Sequence, residues 1–249
     1  MLHHGRRAAA GNQGGFSPAD FGADLIGWWD ASNTGSLTLS GADVTQWSDL
    51  SGNGEHVTQS NTGRYPQYSA TGFDSAYPGL TFSDDYLICN SFACVSDNTI
   101  TAVAVATMTS GAASSGRLVG YTGPTATTDF GFSTKSGILI ARNGSAQSVF
   151  GYRDANLGVG TVTYSTPHAI ISQFDGTNHT MYIDNVAGTP VAHTNNFEAG
   201  GILIFGTGYN SAPETSYWGG VVAEVFIVNR ALTSQERTDI AAYFAKWGL

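Results

Sequence analysis

The stretch AEVFIVNRALTSQERTDIAAYFAKWG, residues 223–248, changes its hydrophobic period once, and that change decides the fold. Together with the residues before it, WGGVVAEVFIVN (218–229) is a run of β-branched and aromatic residues of strand character. Thr233 then stands three residues before Glu236 as a capping box, and Ile240, Tyr243, Phe244 and Trp247 recur at i, i+3, i+4 and i+7. Gly248 follows where a helix takes its C-terminal glycine. The pattern predicts a strand, then one amphipathic helix packed on a sheet.

Working outward, the rest of the chain reads as short strands between turn signals. LIGWWD (25–30), SLTLS (36–40), VTQWSD (44–49), EHVTQ (55–59), GLTFS (79–83), YLIC (86–89) and TITAVAVATM (99–108) come first. RLVGY (117–121), DFGFS (129–133), GILIAR (137–142), SVFGYR (148–153), GTVTYS (160–165), HAIISQF (168–174), HTMYID (179–184) and GILIFG (201–206) follow. In 168–174 the apolar residues do not alternate, which predicts a strand covered on both faces. In 179–184, Met181 and Ile183 face one way while Thr180 and Tyr182 face the other. Asp175–Gly176 and Asn143–Gly144 suit tight hairpins that need positive φ. Only one of Trp28 and Trp29 can point inward.

Composition agrees. The chain has 249 residues, of which 32 are Gly, and only 12% are charged, about half the ~25% of an ordinary soluble domain. An aromatic content of 12% supplies core that a disordered chain lacks. No break divides 24–249, so the reading is one domain preceded by an arm, residues 1–23, rich in Gly, Ala and polar residues. The net charge is -9, while Arg6 and Arg7 place a small basic cluster in the arm. An acidic surface repels phosphate backbones, so no nucleic-acid partner is expected. No stretch approaches the ~18 apolar residues that would span a bilayer, so membrane insertion is not expected. Gly11, Asn12 and Gln13 interrupt the apolar run after Ala8, so a secretory leader is not expected either. Cys89 and Cys94 would pair only if the chain reverses at Asn90–Ser91, and two buried thiols are the favoured alternative.

Three segments resemble a known family. WWDASNTGSLTLSGADVTQWSDLSGNGEHVTQ (28–59) is similar to the opening of concanavalin A-like, laminin-G-type jelly rolls. TFSDDYL (81–87) is similar to an early strand of that family, and residues 223–248 to its closing strand and helix. The resemblance implies an all-β fold, a two-sheet antiparallel jelly-roll sandwich with one C-terminal helix and its termini close together. The grammar of a short arm followed by WxDAS is also similar to virion proteins of tailed bacteriophages and gene transfer agents. That likeness implies a non-enzymatic decoration, head-spike or fibre protein on a particle surface. Its partners would be capsid or tail proteins, with host-surface polysaccharide as a further ligand. A homo-oligomer is expected, a trimer among the states open to it. Arg6, Arg7, Phe16 and Phe21 would then be the anchoring residues of the arm. The alternative is a bacterial carbohydrate-binding lectin or glycoside hydrolase of the same fold.

Glycoside hydrolysis needs two carboxylates ~5 to 9.5 Å apart. None of Glu55, Glu198, Glu214, Glu224 and Glu236 has an acid two or four residues away, and Asp84–Asp85 would point to opposite faces of a strand. The expectation is therefore no enzyme and no cofactor. Glycan binding needs aromatic platforms with amides and carboxylates around them. The segment 206–219 offers Tyr209, Asn210, Glu214, Tyr217 and Trp218, with core burial of Tyr217 and Trp218 as the competing reading. Calcium would draw on Asp49, Asn53, Asp84 and Asp85, although Asp49 and Asn53 equally suit a self-bonded turn.

Overall fold

A computed structural model describes residues 15–93, 99–110, 116–123, 136–142, 148–151, 160–192, 200–208 and 217–249. In chain order the strands are β1 (Leu25–Asp30), β2 (Leu37–Ser40), β3 (Asp43–Trp47), β4 (Val57–Thr58), β5 (Gln67–Phe73) and β6 (Tyr77–Phe82). Next come β7 (Leu87–Phe92), β8 (Ile100–Ala106), β9 (Arg117–Thr122), β10 (Ser136–Arg142), β11 (Ser148–Gly151) and β12 (Gly160–Thr161). The set ends with β13 (His168–Phe174), β14 (Asn178–Ile183), β15 (Val186–Ala187), β16 (Val191–Ala192), β17 (Gly201–Phe205) and β18 (Gly220–Val228). One helix, α1 (Ser234–Tyr243), follows β18.

Antiparallel pairing arranges these strands in two layers, an all-β sandwich of jelly-roll type. In the first layer β18 pairs with β8 along one edge and with β1 and β6 along the other. β8 then carries β13 and β14, while β6 carries β5. The second layer runs β2-β3-β4-β7-β17-β9-β10-β11-β12. At one edge Asp43 of β3 stands opposite Gln67 of β5 and links the two layers.

The two faces of the first layer explain the sequence pattern. Ile26, Trp29, Ile170, Phe174, Met181, Ile183, Val225 and Ile227 point between the layers, where they meet Trp47, Phe92, Leu203 and Phe205. Leu25, Ala169, Ile171, Phe226 and Val228 point outward and are covered by Ile240, Phe244 and Trp247. Strand β13 is thus covered on both faces, as its unbroken apolar run predicts. Trp29 is inward and Trp28 half-buried on the other face. Burial of a large aromatic contributes about 3 kcal/mol or more against truncation, so the tryptophans dominate this core.

The helix forms as its sequence dictates. Thr233 Oγ1 accepts from the Glu236 N–H, and Glu236 Oε2 accepts from the Thr233 N–H, closing the capping box. A 3-10 turn, Phe244–Trp247, continues the helix, and Gly248 ends it at φ 78, in the left-handed region. On the N-terminal side, Pro18–Asp24 forms a 3-10 segment capped by Ser17. Phe21 stacks on Phe226, and Phe16 meets Phe21 and Tyr243 edge-on. These two residues of the expected anchoring arm are therefore packed on the sandwich itself, where Phe21 fills the layer beneath α1. Arg6 and Arg7 lie outside the described residues.

Candidate functional site

Tyr217 and Trp218 approach β18 together and part company there. Trp218 is 1% exposed among the core residues between the layers, and its indole N–H donates to the Thr107 carbonyl at 3.2 Å. It offers no ring face to a sugar, which corrects its place among the glycan-binding residues: the alternation of the incoming strand turns it inward. Tyr217 stays half-buried at the rim. A bridge to Arg117 holds it, and a Cβ at Gly116 would collide with the Tyr217 carbonyl, so only glycine permits that approach. Tyr209, Asn210 and Glu214 lie outside the described residues.

Around Tyr217 the fold gathers side chains from two other loops. The Arg64 guanidinium lies 5.0 Å from the centre of the Tyr217 ring. Its Nη1 donates to the Asp84 carbonyl at 2.7 Å, and the Arg64 carbonyl accepts from the Tyr86 N–H at 3.3 Å. Gln59, itself buried, fastens these loops: its Nε2 donates to the Tyr86 carbonyl, while its Oε1 accepts from the N–H groups of Ser60 and Asn61. Asp85 turns back onto its own loop, accepting from the N–H and hydroxyl of Ser83, both at 3.1 Å. Burial pushes the Asp85 carboxyl above its usual range, with Ser83 and Arg64 opposing. Burial likewise raises Tyr217, although Arg64 draws it down.

What distinguishes this rim cluster is its unused hydrogen-bonding capacity. Among the described residues, the hydroxyls of Tyr86 and Tyr217 and the carboxylate of Asp84 meet no partner, and Arg64 keeps Nε and Nη2 free. Arg64 and Tyr86 were not singled out from the sequence. Asp84 and Asp85 stand out in the sequence as calcium candidates and as an acid pair set aside for hydrolysis, not as part of a sugar site. Nothing local links residues 64 and 86 to residue 217; the fold alone does.

The other calcium candidates are consumed internally. Asp49 accepts from the N–H groups of Trp28, Ser51 and Glu55 and from the Ser51 hydroxyl. Asn53 donates to the Leu25 carbonyl at 2.9 Å. Asp49 and Asn53 therefore tie the 49–55 turn to β1, and among the described residues no three metal-binding side chains converge. Cys89 is a buried free thiol whose Sγ lies 3.3 Å from Glu55 Oε2; burial, with Glu55 adding to it, pushes its pKa up to about 11. Cys94 lies outside the described residues.

A second acidic cluster escaped a search for acids along one strand, because it forms across two. Asp30 of β1 stands opposite Glu224 of β18. Glu224 is 0% exposed and takes four donors: Trp28 Nε1 at 2.7 Å, Tyr243 Oη at 2.8 Å, Trp247 Nε1 at 2.7 Å and Lys246 Nζ at 2.9 Å. Lys246 Nζ also reaches Asp30 Oδ2 at 2.8 Å. Burial pushes the Glu224 carboxyl up and Lys246 pulls it down. This cluster ties the helix α1 and the turn after it to the sheet, and its central carboxylate is fully buried.

Comparison with known proteins places the fold. No family model and no curated protein matches the chain. Among solved structures it is similar to domain 4 of AbnA, a GH43 extracellular arabinanase from Geobacillus stearothermophilus, in complex with arabinotriose. That match has a TM-score of 0.56 at 13% identity and covers 88% of this chain and 98% of the domain. It is also similar to an arabinofuranosidase complexed with arabinofuranosyl-alpha-1,2-xylobiose, with a TM-score of 0.63 at 14% identity, covering 91% of this chain and 64% of the other. A Trypanosoma rangeli sialidase matches with a TM-score of 0.57 at 13% identity over 88% of this chain, which spans only 32% of the sialidase.

These neighbours correct one expectation. The lack of paired acids along a strand predicts no enzyme, yet the three solved structures named above are glycosidases or a domain of one. Acid spacing along a strand cannot detect pairs made across strands, as Asp30 and Glu224 illustrate. The virion setting implied by the sequence resemblance finds no support among these neighbours.

Proposed function

We propose that the chain is a carbohydrate-binding β-sandwich and that it holds an oligosaccharide at the rim formed by Arg64, Asp84, Asp85, Tyr86 and Tyr217. The observation that carries this reading is the convergence there of aromatic rings with uncommitted donors and acceptors. A pyranose or furanose ring presents C–H faces edged with hydroxyls, which aromatic groups and charged hydrogen-bonding groups recognise together. The fold likeness to an entire domain solved with arabinotriose supports the same ligand class.

The test is calorimetric titration of the whole chain with arabino-oligosaccharides and with sialylated oligosaccharides, each mixture then analysed for released sugar. Saturable binding that weakens at least tenfold in Tyr217→Ala and in Arg64→Ala supports the reading. No binding of any sugar, or binding indifferent to both substitutions, overturns it. Released sugar would extend the proposal from binding to hydrolysis.

A further inference from the structure

On the far side of the first layer, a cavity of about 310 Å³ opens between α1 and the β13–β14 hairpin. Its walls are Ala169, Ala241, Phe244 and Leu249, and one acid, Asp184, stands among them. Alanines at positions 169 and 241 leave room that larger side chains would fill. The volume falls at the small end of the roughly 300–1,000 Å³ of ligand pockets, and the lining has the same apolar character with one polar group.

Two protein groups hold that acid in place. Asp184 Oδ1 accepts from the Ala169 N–H at 2.9 Å, and Oδ2 lies 2.7 Å from His168 Nδ1. His168 Nε2 accepts from the Thr163 N–H at 2.9 Å, so that nitrogen carries no proton. Among the described residues no Lys or Arg is paired with Asp184; His168 meets it with one ring nitrogen and the Thr163 N–H with the other. The nearby cations are engaged elsewhere: Arg237 stacks on Tyr182 at 4.3 Å and donates to the Leu232 carbonyl, and Lys246 serves Asp30 and Glu224. The Asp184 side chain remains 47% exposed, fixed in direction by two protein donors yet open to a third.

We propose that this cavity binds a small organic cation, a primary ammonium carried on a compact apolar body. The apolar part would displace water from the walls of Ala169, Ala241, Phe244 and Leu249. The ammonium would supply the charge-assisted hydrogen bond that Asp184 lacks. A neutral molecule of the same shape gains the first contribution without the second. The site is independent of the oligosaccharide rim, which is built from other loops.

Titration of the full chain near pH 7 with 2-phenylethylammonium and with its neutral counterpart 2-phenylethanol tests this directly. The ammonium binds at least tenfold more tightly than the alcohol, and Asp184→Asn removes that advantage. Ala241→Leu, which fills the cavity from a helix position that favours leucine, abolishes binding of both while leaving the melting temperature within a few degrees. Equal affinity for the two compounds, absence of ammonium binding to the unaltered chain, or full ammonium affinity in Asp184→Asn overturns the proposal. If Asp184→Asn does not fold, the ammonium-to-alcohol ratio on the unaltered chain and the Ala241→Leu titration decide it.

Discussion

Two acidic clusters occupy this sandwich, each with a base and aromatic partners, and they differ in what their polar atoms face. Under α1, Glu224 has four donors, three of them aromatic side chains, and Lys246 bridges it to Asp30. At the rim, Arg64 lies over Tyr217 while Asp84, Tyr86 and Tyr217 keep polar atoms unpaired among the described residues. The same residue types thus serve opposite ends. Saturation and burial make the first cluster a fastening for the chain's last helix; exposure and spare hydrogen-bonding capacity leave the second open to a ligand. Composition does not separate the two, and neither does the identity of the residues.

The sharpest way to break this contrast is to remove the buried acid. Glu224→Ala takes the acceptor from two indole N–H groups and a phenol and leaves Lys246 with Asp30 alone, and should cost about 3–5 kcal/mol of unfolding free energy. Urea denaturation measures it; a cost under about 1 kcal/mol would mean the network does not hold the helix. Next in size is Tyr217→Ala, expected to lower oligosaccharide affinity at least tenfold, about 1.4 kcal/mol, while stability stays within about 0.5 kcal/mol. The two variants should therefore trade places between a denaturation curve and a binding isotherm.

How far the sequence reveals these regions depends on the range of the contacts. The capping box of Thr233 and Glu236 and the stripe of Ile240, Phe244 and Trp247 are local patterns, so the helix and its buried face were readable. So was the double covering of β13, since an unbroken apolar run has that meaning in a sheet. Tyr217 and Trp218 read alike in the sequence, as glycan-binding candidates or as core residues, because burial is decided by which layer the next strand enters. Arg64 and Tyr86 carry no local sign of a site: Arg64 looks like an ordinary turn residue and Tyr86 like the start of a strand until Gln59 fastens their loops beside residue 217. The pairing of Asp30 with Glu224 needed strand register, which no local spacing records.

A milder probe concerns the entrance to the helix. Arg230 pairs with Glu236 at 2.6 Å and with Asp24 at 2.7 Å, and its hydrogen bond lowers the Glu236 pKa to about 2. Folding depresses this acid, so its contribution is complete above the ordinary value of 4.5 and fades as pH falls through about 2. Glu236→Gln should cost about 1 kcal/mol at neutral pH and flatten the stability profile between those values. Acid titration monitored by circular dichroism shows whether it does. The smallest effect is expected for Asp84→Asn, an exposed acceptor whose neutralisation should change sugar affinity by about two- to threefold and leave stability untouched.

The division of labour between the clusters is tested most directly by mapping a sugar onto the chain. With assigned backbone amides, titration of arabinotriose should shift the resonances of Arg64, Asp84, Tyr86 and Tyr217 saturably and together, leaving those of Asp30, Glu224 and Lys246 in place. Shifts centred on Asp30 and Glu224, or a rim that stays silent at saturating sugar, would contradict the assignment of recognition to the rim.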